Sequence, residues 1–461
     1  MDDLLEQPVT VLAQLVKTGQ VTSKSLTTAF IDRIEAVNPA LNAVIASNFE
    51  AALKQAERAD LALQSGETPG RLFGVPMTIK DSLDTFDMVT TWGTEGRREF
   101  RPGRDATCVG RLRNEGAILL GKTNTPEFTL SFKTDNRLFG RTSNPWDLDR
   151  TPGGSSGGAA AAIAARLSPF DIGTDTGGSI RLPCHFTGVA GIKPTTGRVP
   201  CTGNALPTSG LLAPLSQPGP MAKTVAELAF LLPIIAGPDL EDPHAVPAAW
   251  TDPGKVDVSS LKVGFHDDNG ISTPDAAIQQ AVRSAADCLR DLGCPVVEDR
   301  PTGVEMTAFI YGRLFSADNG DLVEMLLEDC RTKEPSDRVA RILAEHAPDG
   351  GSAAEFAQVI SLWHNYQSSM LSYFSQHDIL ICPVNGRTAI PHDEPHNPAD
   401  YTYTMAYNLT GWPGVVIRAG TDETGLPIGV QIVARPFAEH QALAVAAALE
   451  AEFGEFAAPD L

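Results

Sequence analysis

The stretch TPGGSSGGAAAAIAARL occupies Thr151–Leu167, and DIGTDTGGSIRLP follows it at Asp171–Pro183. The alanine run predicts a helix, because alanine has the highest intrinsic helix propensity, and FDIGT at Phe170–Thr174 predicts a strand. A strand–loop–helix–strand–loop path would bring the two glycine-serine loops to one end of a sheet, where α/β proteins usually place their sites. A capped helix explains the first loop alone, but it does not explain a second loop of the same kind.

The rest of the chain alternates short apolar stretches with helical ones. Apolar residues recur at helical spacing through Ser23–Ala36 and Phe49–Leu63, and a terminal helix is predicted at His440–Glu452. The strand-like segments are VPMTIK, AILLGKT, FDIGT, LKVGFH, DILICPV, GVVIRAG and PIGVQIVA. This rhythm predicts an α/β fold with a central mixed β-sheet covered by helices on both faces.

No internal repeat and no long low-complexity tract divides the sequence, so residues 1–461 are expected to form a single interleaved domain. Within it we expect an N-terminal helical layer at 1–65 and a sheet core at 66–302 and 377–461. The segment 303–376 has mainly helical signals, and we expect it to be an insertion near the substrate pocket.

Composition excludes several classes of partner. The sequence has 36 Lys and Arg against 57 Asp and Glu, a net charge of −21, and a surface of that sign repels nucleic acid and anionic lipid. The acidic start MDDLLEQPVT does not resemble a signal peptide, and Leu228–Ala236 is shorter than the ~20 residues of a membrane span. Seven scattered cysteines without a C-x-x-C motif indicate buried free thiols. We therefore expect a cytoplasmic protein with no nucleic-acid or membrane partner.

The stretch GAILLGKT at Gly116–Thr123 satisfies the pattern of a phosphate-binding loop. Its four variable residues are apolar, however, and Pro126 follows closely where such a loop would continue into a helix. We therefore interpret this segment as a buried strand, and no nucleotide or other cofactor is expected.

GGSSG also satisfies the nucleophile-elbow pattern of Ser-His-Asp hydrolases. That motif needs a strand directly before the serine, whereas RTSNPWDLDRTP is loop-like, and all nine histidines lie downstream, so their order alone does not reject it. His392 and His396 form the one close histidine pair, but prolines interrupt PHDEPHNP. Both are expected to be surface loop residues, and no metal site is predicted.

Four separated motifs, namely GVPMTIKD at Gly74–Asp81, TPGGSSGG, GTDTGGSIRLP and GIKPT, resemble the amidase signature family. The likeness runs from about Leu72 to Thr195 and reappears in GLPIGVQIVA at Gly425–Ala434. It implies the amidase signature fold and hydrolysis of C–N bonds in linear amides, with carbamates (urethanes) and esters as further substrates.

The resemblance also implies the catalytic residues. Lys80, Ser155 and Ser179 match a Ser–cis-Ser–Lys triad, with Ser179 as the nucleophile that forms an acyl-enzyme and a cis peptide bond between Gly154 and Ser155. Ser156 is expected to orient Lys80. The backbone N–H groups expected to form the oxyanion hole are those of Thr176, Gly177, Gly178 and Ser179.

Lys80 can act as a base only when it is neutral, and a free lysine has a pKa of about 10.4. Its place at the end of the apolar strand VPMTI predicts desolvation, which disfavours the charged form and lowers the pKa. On its own, a lysine at a strand end would be a solvated charge, so the assignment depends on the resemblance.

The substrate is less well defined by the sequence. Thr129, Leu130, Ser131 and Phe132 are predicted to line the acyl pocket, together with the helical segment around Phe309–Leu314. The expected partner is a small-molecule amide or carbamate, and a homodimer is left open. The alternatives are the glutaminase subunit of a tRNA-dependent amidotransferase and, with less support, a Ser-His-Asp esterase on Ser155 or Ser156.

Overall fold

A computed structural model of the chain describes residues 2–67, 70–345, 352–454 and 458–461. The helices in these ranges are α1 Asp2–Glu6, α2 Val9–Lys17, α3 Ser23–Leu41, α4 Phe49–Gln64, α5 Thr107–Asn114, α6 Gly157–Ala164, α7 Arg181–Thr187, α8 Val225–Ile235, α9 Ala276–Asp291, α10 Thr307–Phe315, α11 Asp321–Cys330, α12 Asp337–Glu345, α13 Ala353–Leu371, α14 Thr402–Leu409 and α15 Glu439–Phe453. The strands are β1 Val44–Ser47, β2 Pro76–Lys80, β3 Ile118–Thr123, β4 Asp135–Asn136, β5 Gly140–Arg141, β6 Phe170–Asp175, β7 Ala190–Lys193, β8 Gln217–Ala222, β9 Val263–Phe265, β10 Val296–Glu298, β11 Ile379–Pro383, β12 Gly414–Thr421 and β13 Pro427–Ala434.

An eight-stranded mixed sheet has the order β10-β9-β11-β13-β12-β7-β8-β6. β10, β9 and β11 pair in parallel, and every later pair is antiparallel. Alternate residues of β11 point to opposite faces: Ile379 and Ile381 pack with α9 and α15, whereas Leu380 and Cys382 pack with α13 and α14. The predicted mixed sheet with helices on both faces is therefore confirmed.

VPMTIK and AILLGKT form strands, but they lie in a separate three-stranded sheet of order β1-β3-β2. β2 packs beside β6, but no main-chain hydrogen-bond ladder pairs the two strands. The side chain of Asp171 in β6 makes the hydrogen bonds to β2 instead. Its carboxylate accepts the Lys80 N–H at 2.9 Å and the Thr78 hydroxyl at 2.7 Å. This carboxylate therefore fixes the end of β2 against the large sheet.

The predicted N-terminal helices are present and somewhat longer than expected. The helix predicted at Ser23–Ala36 extends to Leu41, and the Thr22 hydroxyl caps it by accepting the Ser25 N–H at 3.0 Å. Helices α10 to α13 occupy the segment predicted to be a helical insertion, of which 346–351 lie outside the described residues. Among the described helices, none is both long and apolar enough to cross a membrane.

A buried ion pair joins the last helix to the loop after β7. Glu439, at the first residue of α15, accepts from Arg198 at 2.7 Å and from the Thr195 N–H at 2.9 Å, and its side chain is fully buried. Removal of one partner of such a pair leaves an uncompensated buried charge, which costs about 3–5 kcal/mol.

We therefore expect Glu439→Ala to lower the free energy of unfolding by about 3–5 kcal/mol. The measurement is the midpoint of unfolding in urea or guanidinium chloride, with the exposed Glu452→Ala in the same helix as the control. If the two variants were equally stable, the pair would not anchor α15.

Candidate active site

The structure brings the two glycine-serine loops into direct contact. The first loop ends at Ser156 before α6, and the second follows β6 and leads into α7. The Ser156 N–H donates to the Ser179 carbonyl at 3.1 Å. The peptide bond between Gly154 and Ser155 is cis, as the resemblance implied.

Lys80 lies at the end of β2, and its amine is fully buried between these loops. Its Nζ lies 2.7 Å from Ser155 Oγ, 3.0 Å from Ser156 Oγ and 2.8 Å from Thr174 Oγ1. Thr174 belongs to β6, and sequence reasoning missed it, although it stands within the quoted DIGTDTGGS motif. A neutral amine has two N–H donors and one lone pair, which suits contact with three hydroxyls.

The hydrogen bonds of Ser156 give it a different role from Ser155. The Ser156 hydroxyl donates to the Thr174 carbonyl at 3.3 Å and accepts the Thr174 N–H at 3.3 Å. Its proton is therefore used within the loop, and Ser156 accepts from Lys80. Lys80 is the described partner of the Ser155 hydroxyl. Ser155 is thus free to give its proton to Lys80.

Burial lowers the pKa of Lys80 well below its ordinary value, while the negative charges of Asp175 and Asp171 oppose the change. No carboxylate lies within 4 Å of the amine in the described part of the chain. Burial also raises the pKa of Asp171 to about 6, against hydrogen bonds from Thr78 and Thr123. Desolvation is thus the dominant effect on Lys80 and favours the neutral amine that a base requires.

Asp175 shapes the loop that carries Ser179. Its carboxylate accepts the Gly178 N–H at 2.8 Å and the Ile180 N–H at 3.1 Å, and it pairs with the buried Arg181. Burial alone would raise the pKa of Asp175, but Arg181 holds it below its usual range. The carboxylate therefore stays charged and fixes the turn.

The N–H groups of Thr176, Gly177 and Ser179 have no acceptor among the described residues. The Gly178 N–H was also predicted to be an oxyanion-hole donor. It already donates to Asp175, so it is not available to an oxyanion. The Gly177 carbonyl accepts from the Thr404 hydroxyl at 2.7 Å, which fixes this peptide from the opposite side. Three N–H groups therefore remain for an oxyanion.

Ser155 and Ser179 are not joined by a hydroxyl–hydroxyl hydrogen bond within 3.5 Å in the described structure. Both side chains are nearly buried, Ser155 at 1% and Ser179 at 6% exposure. The free site thus holds Lys80 and Ser155 in contact, with Ser179 on the adjoining loop. Catalytic hydrogen bonds that are long in a free enzyme often shorten only when substrate binds.

Of the four residues predicted for the acyl pocket, Phe132 lies at the site. A β-carbon on Gly177 would lie 3.4 Å from its ring, and Leu130 instead packs with Phe128 and Leu206 in a separate apolar cluster. Ser131 accepts the Lys133 N–H at 3.1 Å, and Thr129 has a left-handed backbone with φ of 63°.

Sequence reasoning also missed Tyr401, whose ring stacks on Phe132. It included Tyr311 only as one residue of the segment Phe309–Leu314 predicted to line the acyl pocket. The Tyr311 hydroxyl donates to the Thr176 carbonyl at 3.3 Å.

Further sequence predictions concern the GAILLGKT segment, the pair of histidines and the cysteines. Gly116–Thr123 contains strand β3, as predicted, and the buried Lys122 amine donates to the Leu83 carbonyl at 2.5 Å. His392 and His396 lie in a loop, as predicted, and both are partly exposed, although His396 Nδ1 is hydrogen-bonded to Tyr401. All seven cysteines are free, and six of them are buried. Among the described residues, no group of three or more His, Cys, Asp or Glu side chains could hold a metal ion.

Comparison with known proteins gives a consistent family match. The family model described as Amidase matches residues 25–443. A glutamyl-tRNA(Gln) amidotransferase subunit from Bdellovibrio bacteriovorus is 34% identical and is covered over 97% of both chains. The protein of the same name from Acidothermus cellulolyticus is 34% identical over 99% of this chain and 96% of its own. The solved structure of 6-aminohexanoate cyclic dimer hydrolase with substrate has a TM-score of 0.87 at 30% identity, over 98% of both chains.

The low pKa of Lys80 predicts how the rate depends on pH. If Lys80 is the base, its protonation removes that base, so kcat/KM should fall about tenfold per pH unit below the pKa of Lys80 and rise toward mildly alkaline pH. Lys80→Arg should be inactive at every pH, because a guanidinium is not deprotonated in proteins. The measurement is kcat/KM between pH 5 and 9.5. An unchanged profile in Lys80→Arg would assign the base to another group.

Proposed function

The chain belongs to the amidase signature family, and we propose that it hydrolyses the C–N bond of small linear amides through an acyl-enzyme on Ser179. The observation that carries the proposal is the 2.7 Å contact between Lys80 Nζ and Ser155 Oγ beside the Ser179 loop. A serine hydroxyl is a weak nucleophile, and this contact supplies the base that it needs.

In the proposed acylation step, Ser155 gives its proton to neutral Lys80 and takes the proton of Ser179. Ser179 Oγ then bonds to the substrate carbonyl carbon, and the carbonyl oxygen becomes an oxyanion held by the N–H groups of Thr176, Gly177 and Ser179. Loss of one such donor typically costs about 3–4 kcal/mol of transition-state stabilisation.

Collapse of this intermediate breaks the C–N bond. Protonated Lys80 returns its proton through Ser155 to the departing nitrogen, which leaves as a neutral amine or ammonia. Water then attacks the acyl-enzyme with the same groups as base, and the carboxylic acid is released while Ser179 regains its proton. The same cycle would cleave aryl carbamates and esters, because each has a carbonyl carbon bearing a leaving group.

A second candidate function is the glutaminase subunit of a tRNA-dependent amidotransferase. The names of the two relatives support it more directly than they support a free-standing amidase, and both align over nearly their whole length. In this role the chain would act with partner subunits and release ammonia from glutamine. The amide chemistry at Lys80, Ser155 and Ser179 would be the same.

The lining of the pocket favours the free-standing enzyme. Phe132 and Tyr401 stack at 4.0 Å between ring centroids, and Tyr311 lies against the Thr176–Gly177 peptide. The part of glutamine beyond its amide carries an ammonium and a carboxylate, which need charged or polar partners when buried. The cations Lys133, Arg338 and Arg341 near His396 suit the carboxylate, but the three rings supply no carboxylate for the ammonium. Aromatic rings instead suit an apolar acyl group. The Ser-His-Asp alternative loses its support, since Ser155 and Ser156 contact Lys80 and not a histidine.

An assay of the purified chain separates the two candidates. We expect it to hydrolyse simple primary amides and anilides without a protein partner, tRNA or ATP, and to prefer them to glutamine. Ammonia or aniline release is measured over a panel of amides, anilides, esters and aryl carbamates. Glutaminase activity that appears only with partner subunits, with no turnover of the panel, would establish the second candidate.

We expect Ser179 to carry the covalent adduct. A fluorophosphonate should label Ser179 as judged by peptide mass mapping, and Ser179→Ala should abolish turnover with the fold intact, because its backbone N–H remains. Ser156→Ala is the matched control, since its hydroxyl orients Lys80 and should lower the rate without removing the label. An adduct on Ser155 or Ser156 would contradict the assignment.

A further inference from the structure

Phe132 touches both catalytic loops. A β-carbon on Gly154, the residue before the cis peptide bond, would lie 2.8 Å from the Phe132 carbonyl carbon, so the two main chains are packed closely. The far end of the Phe132 ring lies 3.4 Å from the corresponding point on Gly177. The Phe132 ring therefore lies beside the loop whose N–H groups are proposed to hold the carbonyl oxygen of the substrate.

The Phe132 ring is part of a larger unit that the mechanism does not use. Tyr401 stacks on it with an interplanar angle of 8°, and His396 lies edge-on to both rings, at 6.3 Å from Phe132 and 5.3 Å from Tyr401. The buried Tyr401 hydroxyl is hydrogen-bonded to His396 Nδ1. We call Phe132, Tyr401 and His396 the aromatic wall.

One atom of the aromatic wall lacks a partner. His396 Nε2 is buried and has no hydrogen bond in the described structure. Either the Tyr401 hydroxyl or His396 Nδ1 can be the donor in this bond. Because the Tyr401 hydroxyl has no other acceptor among the described residues, we assign its hydrogen to the bond with Nδ1 and the imidazole proton to Nε2. A buried donor without an acceptor is costly and calls for an explanation.

The charges around His396 indicate what that donor would bind. Burial, together with the positive charges of Lys133, Arg338 and Arg341, lowers the pKa of His396 to about 4, so the ring is neutral near pH 7. Three neighbouring cations favour a group of partial negative charge and disfavour another donor. The complementary ligand atom is therefore a hydrogen-bond acceptor.

We propose that the aromatic wall binds the acyl part of the substrate and selects planar aromatic acyl groups that carry a hydrogen-bond acceptor, which His396 Nε2–H binds. The inference rests on the proposed amide hydrolysis at Ser179, and it adds a substrate class and two specificity-determining residues, Tyr401 and His396. An acyl ring stacks along Phe132 and Tyr401, and its acceptor replaces the partner that Nε2 lacks.

The first experiment varies the acyl group at constant leaving group. kcat/KM is measured for benzamide and hexanamide, which both release ammonia. We expect the benzamide/hexanamide ratio to fall at least about fivefold in Tyr401→Leu, since an aromatic pair is lost, and to stay unchanged in the surface variant Phe437→Leu. An unchanged ratio in Tyr401→Leu overturns the proposal. The proposal is also overturned if Tyr401→Leu alters kcat/KM only across anilides that share one acyl group and differ in their leaving group.

The second experiment isolates Nε2. Asparagine places an oxygen where His396 has Nδ1, so His396→Asn keeps an acceptor for Tyr401 and removes the donor. Acetylbenzamides with the acetyl group at position 3 or 4 are compared with their isopropyl analogues, which have a similar shape and no acceptor. For the ring position that gives the larger acetyl/isopropyl ratio of kcat/KM, we expect this ratio to fall about tenfold in His396→Asn, as for loss of one neutral hydrogen bond. A ratio of one in the unmodified enzyme overturns the proposal.

Binding to the Ser179→Ala protein separates this inference from the proposed function. Calorimetric titration with the same amides reports the pocket without turnover. Tighter binding of acetylbenzamide than of its isopropyl analogue, lost in Ser179→Ala/His396→Asn, supports the aromatic wall even if the parent enzyme hydrolyses none of these amides. Equal binding of the two analogues overturns it even if the enzyme is an active amidase.

Discussion

A lysine amine buried without a counter-ion is the constraint on which the site depends. Lys80 is fully buried, and the groups that touch its Nζ are three hydroxyls. Burial of a charged ammonium with no partner would cost several kcal/mol, so the neutral form is favoured. A neutral amine that can accept a proton from Ser155 is the chemical result of this packing.

Two buried carboxylates lie near enough to raise the pKa of Lys80, and the fold engages each of them elsewhere. Asp171 accepts from Thr78, Thr123 and the Lys80 N–H, and so joins three strands of two sheets. Asp175 accepts from Arg181 and from the N–H groups of the nucleophile loop. Neither acid forms an ion pair with the amine, and both serve as connectors that keep β2 and the loop in place.

The sequence was sufficient to predict the mixed α/β sheet, the terminal helices and the pairing of the two glycine-serine loops, because local periodicity and motif order carry that information. It could not predict that β2 and β3 leave the large sheet, since one side chain, Asp171, replaces a main-chain ladder there. Gly178 looked like an oxyanion donor because its neighbours do, but its N–H turns to Asp175. Tyr401 and His396 were missed because their contact with Phe132 joins residues more than 260 positions apart.

The position of α14 and β13 explains how chemistry and specificity can be separated in this fold. Asn408 and Gln431 bond to the Asp175–Arg181 pair, and Thr404 holds the Gly177 carbonyl, so the C-terminal part of the sheet completes the catalytic frame. Tyr311, on α10 in the helical segment before β11, contacts the Thr176 carbonyl in the loop that carries Ser179. That segment lies outside the frame, so its residues can change the pocket without altering the contacts of Lys80. The aromatic wall belongs to the side of the frame, because the Phe132 ring lies beside Gly177 and its partners His396 and Tyr401 come from the residues just before α14, not from the helical segment.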